Sequence, residues 1–276
     1  MMASGSNLLG NVIGVYLGRS RNEEIFKRRT AGGGAVTSFL IYLLDKGEVD
    51  GIVTAKRVKG LKGVAIVARN REELLQTAGN KWSVVPYASK LRAKIEDEGL
   101  RKVAIVSLPC QAQFFGQMRE FPLLETDFGE RIKLIISLFC SGTFAYEAFL
   151  NYLKVKHGVQ AENIRDIRLK EGVLSVIHDG KELEIPLEEA YIYLQGGCLV
   201  CTDYTGTWAD LSAGTIPSKR KWTLLITRNV KTDELLRQAA EEGYIELIDG
   251  HPYLGEVLKA AKNKLARAQE NIIKFL

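Results

Sequence analysis

Short apolar runs alternate with amphipathic stretches along most of the chain. VIGVYLGRS (12–20), DGIVTAKRV (50–58) and GVAIVARN (63–70) are rich in β-branched residues and read as strands. KVAIVSLPC (102–110) and IKLIISLFC (132–140) are almost wholly apolar, the pattern of strands buried on both faces. Each of these two ends on a cysteine and continues into a helical pattern, CQAQFFGQMREF after the first and SGTFAYEAFLNYLKVKHG after the second. Helical periods also follow KRRTAGGG, where Leu40, Leu43 and Leu44 share a face and Gly47 is the stop signal, and cover REELLQTAG (71–79) and PYASKLRAKIEDEG (86–99).

Further on, IRDIRLKEG (164–172), LSVIHDGKELEIP (174–186) and KWTLLITRN (221–229) read as strands, with a hairpin turn at Asp179-Gly180. TDELLRQAAEEG (232–243) reads as a helix. The last stretch, 253–275, carries Leu254, Val257, Leu258, Ala261, Leu265, Ala268 and Ile272 at helical spacing, a stripe expected to pack on the chain's own domain. Strands alternating with helices predict an α/β protein of the mixed α+β kind.

Composition narrows the class. Of 276 residues, 46% are hydrophobic and 26% charged, enough apolar material for a core without disulfides. The longest apolar runs are too short to span a bilayer, and the N-terminus has neither a basic region nor a continuous apolar segment, so a cytoplasmic protein without a membrane span is expected. The net charge of +5 is scattered, with clusters at Lys27-Arg28-Arg29 and Lys219-Arg220-Lys221. No dense basic face with interleaved aromatics appears, so a nucleic-acid partner is not expected, and the two clusters suit a small anionic ligand better.

The four cysteines carry the most specific chemistry. Cys110 and Cys140 each fall where a buried strand ends; if those strands are parallel neighbours, both thiols lie at the carboxyl edge of one sheet, where α/β ligands bind. Cys198 and Cys201 form a CxxC behind a Gly-Gly pair, which lets backbone amides approach an inorganic ligand closely. Either single cysteine taken alone reads as core, because free cysteine is among the most buried residue types. Taken as a set, with none left over, the four predict a shared four-thiolate site. Structural zinc draws mostly on two CxxC pairs, whereas here two ligands come singly from a sheet, which favours an iron–sulfur cluster; spacing leaves zinc open. A thioredoxin-like dithiol wants its CxxC between a strand and a helix near the N-terminus, not in a loop-rich region.

In order along the chain, VYLGRSRNEEIFKRRTAGGGAVTSFLIYLLDKGEVDGIV, PYASK, SLPCQ, LFCSGTFAYEAF, GCLVCTDYTGTWADLSAG, KWTLLITRN and the helix ending EEGYIEL resemble one family. It is the beta subunit of coenzyme F-420-reducing hydrogenase and of F-420-dependent formate dehydrogenase, and the likeness runs from about Val12 to Leu247. The resemblance implies an electron-transfer flavoprotein oxidoreductase with one 4Fe–4S cluster and one FAD. It further implies electrons passed between a partner's iron–sulfur chain, in a hydrogenase- or formate-dehydrogenase-type subunit, and the deazaflavin. Ferredoxin, a thioredoxin-like protein or another electron partner is the alternative, and a zinc-bound scaffold is the non-enzymatic one. Carried over by position, Cys110, Cys140, Cys198 and Cys201 are the implied cluster ligands. The layout expected is two sub-domains around a shared cofactor site: an N-terminal α/β domain over 11–85, a cysteine-bearing domain over 86–250 and a C-terminal helix over 251–276.

On the flavin side, Thr30-Ala31-Gly32-Gly33-Gly34 at a helix entry offers exposed amides and a positive dipole end for a diphosphate, although a tight turn explains a glycine run equally well. Thr37, Ser89 and Lys90 are candidate anion contacts, and Asp203 and Thr205 stand near enough to the CxxC to meet either cofactor. Tyr204 and Trp208 read either as flavin-stacking or as core aromatics. Asp210 reads as ordering its loop. Two departures from the family leave the acceptor open. The basic TIPSKRKW stands where relatives have a second glycine-rich turn, and Gly-Gly-Gly replaces Asp-Gly-Gly. The dispersed His157, His178 and His251 are given no role, and no side chain is assigned as catalytic.

Overall fold

The runs pair into the strands β1 (Gly14–Ser20), β2 (Gly51–Arg57), β3 (Gly63–Ala68), β4 (Val103–Ser107), β5 (Ile132–Leu138), β6 (Ile164–Lys170), β7 (Val173–His178), β8 (Lys181–Pro186), β9 (Leu211–Gly214), β10 (Thr223–Thr227) and β11 (Ile245–Asp249). The structure is a computed structural model that describes residues 8–27, 32–58, 62–87, 95–121, 126–170 and 172–275. Eight strands form one mixed sheet in the order β11-β1-β10-β9-β5-β4-β2-β3, and β6, β7 and β8 form a second, antiparallel sheet. The mixed α/β class expected from the alternation is the class observed.

At the centre of the large sheet, β2, β4, β5 and β9 run parallel, with Val106 beside Ile136 and Ile136 beside Leu211. Side chains along a strand alternate between faces. Ala104 and Val106 therefore join one core, with Phe39 and Leu43 of the helix Ala35–Asp45 and Leu236 of the helix Val230–Glu241. Val103 and Ile105 point the other way, onto Ala112 and Phe115 of the helix Pro109–Glu120. Helices on both faces explain why these strands carry no polar alternation. The small sheet packs on the helix Tyr146–His157, with Phe149 stacked on Phe144 at 4.1 Å between ring centroids.

Some local expectations change. The Asp179-Gly180 turn has positive φ at both residues (46° and 75°), the primed turn that suits a two-residue hairpin. The helix read over 71–79 is only Arg71–Leu75, capped by Asn70, whose side chain accepts the Glu73 N–H at 2.9 Å. Residues 88–94 of the helix read over 86–99 lie outside the described residues. The largest addition is LSAG, to which the sequence pattern assigns no strand. It is β9, inserted between β5 and β10. Four residues with a serine and a glycine carry no strand signal of their own; the two neighbouring strands supply the pairing.

Candidate functional site

Parallel β4 and β5 deliver two thiols to the same edge of the sheet. Cys110 follows Pro109, which opens the helix at the position where a missing N–H does no harm. Gln111 fixes that turn: its Oε1 accepts the Leu108 N–H at 3.1 Å and its Nε2 donates to the Val85 carbonyl at 2.7 Å. Cys140 stands two residues beyond β5, and its N–H donates to the Tyr204 carbonyl at 3.0 Å, which ties it to the CxxC loop. Cys198 lies in a single helical turn, Gly196–Leu199, with its N–H on the Gln195 carbonyl at 2.8 Å. The Cys201 Sγ lies 3.8 Å from the Asp203 carbonyl. A side chain on Gly196 or Gly197 would meet no atom of the described residues within 4 Å.

All four thiols are free. Burial pushes the Cys110 thiol up, and Cys201 and Cys198 push it further. Cys140 is pushed up to about 11, mainly by burial, with Cys198 and Cys110 adding to the rise and Lys264 opposing it. Among the described residues, no three His, Cys, Asp or Glu side chains gather tightly enough to hold a metal ion. Free thiols after the ends of two parallel neighbouring strands, one of them tied to the CxxC loop, are a donor set suited to a thiolate-bound metal group.

Around them, Asp203 spends its carboxylate on its own loop, accepting the Gly206 and Thr207 N–H groups at 2.8 and 2.9 Å. Thr205 is fully buried, and its Oγ1 accepts from Arg228 Nη2 at 3.0 Å. Arg228 also donates to the Ser212 hydroxyl and to the Asn11 and Leu9 carbonyls; burial holds it down at about 10. Asp210 accepts both Arg119 Nη groups, at 2.7 and 3.0 Å, together with the Ile135 N–H and Asn229 Nδ2, so it orders its loop as read. Tyr204 packs on Phe139, and burial, then Cys140, pushes its hydroxyl up to about 12. Trp208 lies against Gly116 of the Cys110 helix.

The glycine turn meets the basic loop. A side chain on Gly33 would stand 2.4 Å from the Lys221 carbonyl, and one on Gly32 would stand 2.5 Å from the Thr223 hydroxyl. Lys221 itself has a φ of 73°, and Trp222 beside it lies under the Arg19 guanidinium at 4.6 Å. Arg220 and Lys221 are exposed there, and Thr37 is half-buried in the first turns of the helix that Gly34 begins. Thr30, Ser89 and Lys90 lie outside the described residues. The histidines are spent elsewhere: His157 on the Tyr152 hydroxyl, His178 beside Asp179 and His251 on Asp249.

Family models match nearly the whole chain. The "Coenzyme F420 hydrogenase/dehydrogenase, beta subunit N-term" covers residues 15–92, and the corresponding C terminus covers residues 100–252. The chain belongs to this beta-subunit family. It is 30% identical to the coenzyme F420 hydrogenase subunit beta of Methanothermobacter thermautotrophicus over 96% of this chain and 95% of that one. It is also 32% identical to the coenzyme F420-dependent sulfite reductase of Methanocaldococcus jannaschii, over 87% of this chain and 39% of that protein. A chain of the F420-reducing [NiFe] hydrogenase complex from Methanosarcina barkeri superposes with a TM-score of 0.88 at 26% identity, over 99% of this chain and 95% of that one. The family is one of oxidoreductases. Among the described residues of this member, no helix is long and apolar enough to cross a membrane.

The beta-subunit family models stop at residue 252, before the helix Leu254–Phe275. That helix buries Val257, Ala261 and Ala268, and between them Lys264, at 3% exposure. Ile272, placed on the same stripe from the sequence, is exposed. Lys264 Nζ donates to the Cys140 carbonyl at 2.8 Å and to the Asp203 carbonyl at 2.6 Å. Sequence reasoning missed Lys264, Arg228 and Arg119. Of these, only Lys264 left a signal, as a cation at a position where the helical period calls for an apolar residue.

Proposed function

We propose that this member of the family is the electron-transfer flavoprotein subunit of a hydrogenase- or formate-dehydrogenase-type complex. In this reading it passes electrons between a partner's iron–sulfur chain, or ferredoxin, and the deazaflavin coenzyme F-420. What supports the reading is that Cys110 and Cys140 follow the ends of the parallel neighbours β4 and β5, and that the Cys140 N–H is tied through the Tyr204 carbonyl to the loop of Cys198 and Cys201. Those four would hold a 4Fe–4S cluster. Gly32, Gly33, Gly34 and Thr37 would line the FAD diphosphate with Thr30, Ser89 and Lys90. A cluster carries single electrons and a flavin couples them to hydride transfer, so the pair suits an exchange with a deazaflavin.

Support for a cluster over zinc comes from the donor set. A single tetrahedral ion draws its sulfurs in to about 2.3 Å from one point, whereas a cubane spreads four thiolates over a wider frame. Here two of the four thiols come singly, after the ends of β4 and β5, and only two come from a CxxC, a wider spread of donors than the paired CxxC loops of structural zinc. Asp203 and Thr205 act one step back: the first folds the CxxC loop and the second joins it to Arg228. Arg220 and Lys221, beside the glycine turn, would hold the polyanionic tail of the deazaflavin.

An anaerobic cofactor inventory tests this. The purified chain should carry about four irons, as one cubane cluster requires, with releasable FAD, and reduced coenzyme F-420 should bleach the flavin. A colourless chain holding stoichiometric zinc overturns the reading. Both cofactors present without bleaching moves the acceptor to ferredoxin, a thioredoxin-like protein or another electron partner.

A further inference from the structure

The helix Leu254–Phe275 reaches the cysteine loops with one row of polar side chains. Lys264, Arg267 and Asn271 are three and four residues apart and so stand on one face. Lys264 bridges the carbonyls of Cys140 and Asp203. Arg267 Nη2 donates to the carbonyls of Ser141 and Cys198, and Asn271 Nδ2 donates to that of Leu199 at 3.2 Å. The row closes over the Cys140 loop and the CxxC loop, which carry three of the four thiols. Both partners of Lys264 are neutral carbonyls, and among the described residues it forms no ion pair. An ammonium this deeply buried is costly unless a negative charge lies near. The anionic groups that would answer it are thiolates on the two loops it joins, the Cys140 loop and the CxxC loop. Beside it, Arg267 stands over the Tyr191 ring at 4.8 Å, and its buried Nε–H has no hydrogen-bond partner among the described residues.

We infer that Lys264 is a positioning residue of the four-thiol site, tying the Cys140 loop to the CxxC loop and setting a fixed positive charge against whatever anionic group the thiolates form. This rests on the cluster reading above for its redox consequence only; the tie between the loops stands without it. A buried cation stabilises the more negative, reduced form of a thiolate-bound cluster, so its charge raises the reduction potential.

The test uses the full chain with Lys264→Met, Lys264→Gln and Lys264→Arg, and the exposed Lys262→Met on the same helix as control. In iron-loaded protein, an EPR-monitored redox titration should give a more negative potential for the Met and Gln variants. Arg and the Lys262 control should keep the wild-type value. In metal-free protein, hydrogen exchange at the Cys140 amide should quicken roughly tenfold or more in the Met variant, as expected for loss of a buried charged hydrogen-bond donor. Gln, which keeps a donor, should quicken it less. If Met fails to fold, Gln against Arg decides the charge effect. Folded Met and Gln variants with wild-type potential and wild-type exchange overturn the proposal. A wild-type chain that takes up no iron overturns the cluster reading instead, and exchange at Cys140 then decides the positioning role by itself.

Discussion

Asp210 and Arg119 are the clearest case of one residue organising others. A carboxylate with 9% of its side chain exposed takes both guanidinium nitrogens of Arg119, the Ile135 N–H of β5 and the Asn229 amide. It thereby fastens the helix Pro109–Glu120, which carries Cys110, to the strand that leads to Cys140. Removing one partner of such a pair leaves a buried charge unanswered, so Asp210→Ala should cost about 3–5 kcal/mol, read as a lower urea midpoint with an unchanged slope. Converting both to apolar residues, Arg119→Met with Asp210→Leu, should cost less than Asp210→Ala alone. The role of Asp210 was legible in its place within a polar loop. Its partner was not, because Arg119 sits in a helix with nothing in the local sequence to mark it from a solvated arginine.

At the scale of elements, the glycine turn and the basic loop form one unit. Gly33 lets its backbone lie against Lys221, whose carbonyl leaves no room for a methyl group, and against Arg19, whose Cβ would stand 2.6 Å from one. The Ser20 N–H donates to the Gly33 carbonyl at 2.7 Å and completes the contact. Gly33→Ala should therefore destabilise the fold by about 1–3 kcal/mol, the usual cost of overpacking, and thermal unfolding should show the loss; a wild-type midpoint would mean the loop yields freely. The glycine run was legible as a turn, but not as a seat for TIPSKRKW, since nothing local links residues almost two hundred positions apart. The same limit explains β4 and β9. Val103–Ser107 announces itself because burial on both faces leaves a wholly apolar run, while Leu211–Gly214 becomes a strand only through β5 and β10.

For the whole molecule, the eight-stranded sheet draws from both ends of the chain. β1 lies between β10 and β11, and β2 between β3 and β4. Gly14 pairs with Thr227 and Tyr16 with Asp249, so the first strand has no partner until the chain is nearly complete. A fragment ending at residue 99 should accordingly lack a folded core on its own, with dispersed amide signals appearing only when residues 100–276 are co-expressed; a well-dispersed spectrum for the isolated fragment would contradict this. The order in which the chain is made gives Lys264 a further consequence. Synthesis proceeds from the N-terminus, so all four cysteines leave the ribosome before the segment that crosses their loops exists. The Cys140 and CxxC loops thus stand without their Lys264 tie until that helix arrives, so the two loops are fastened to each other late in synthesis.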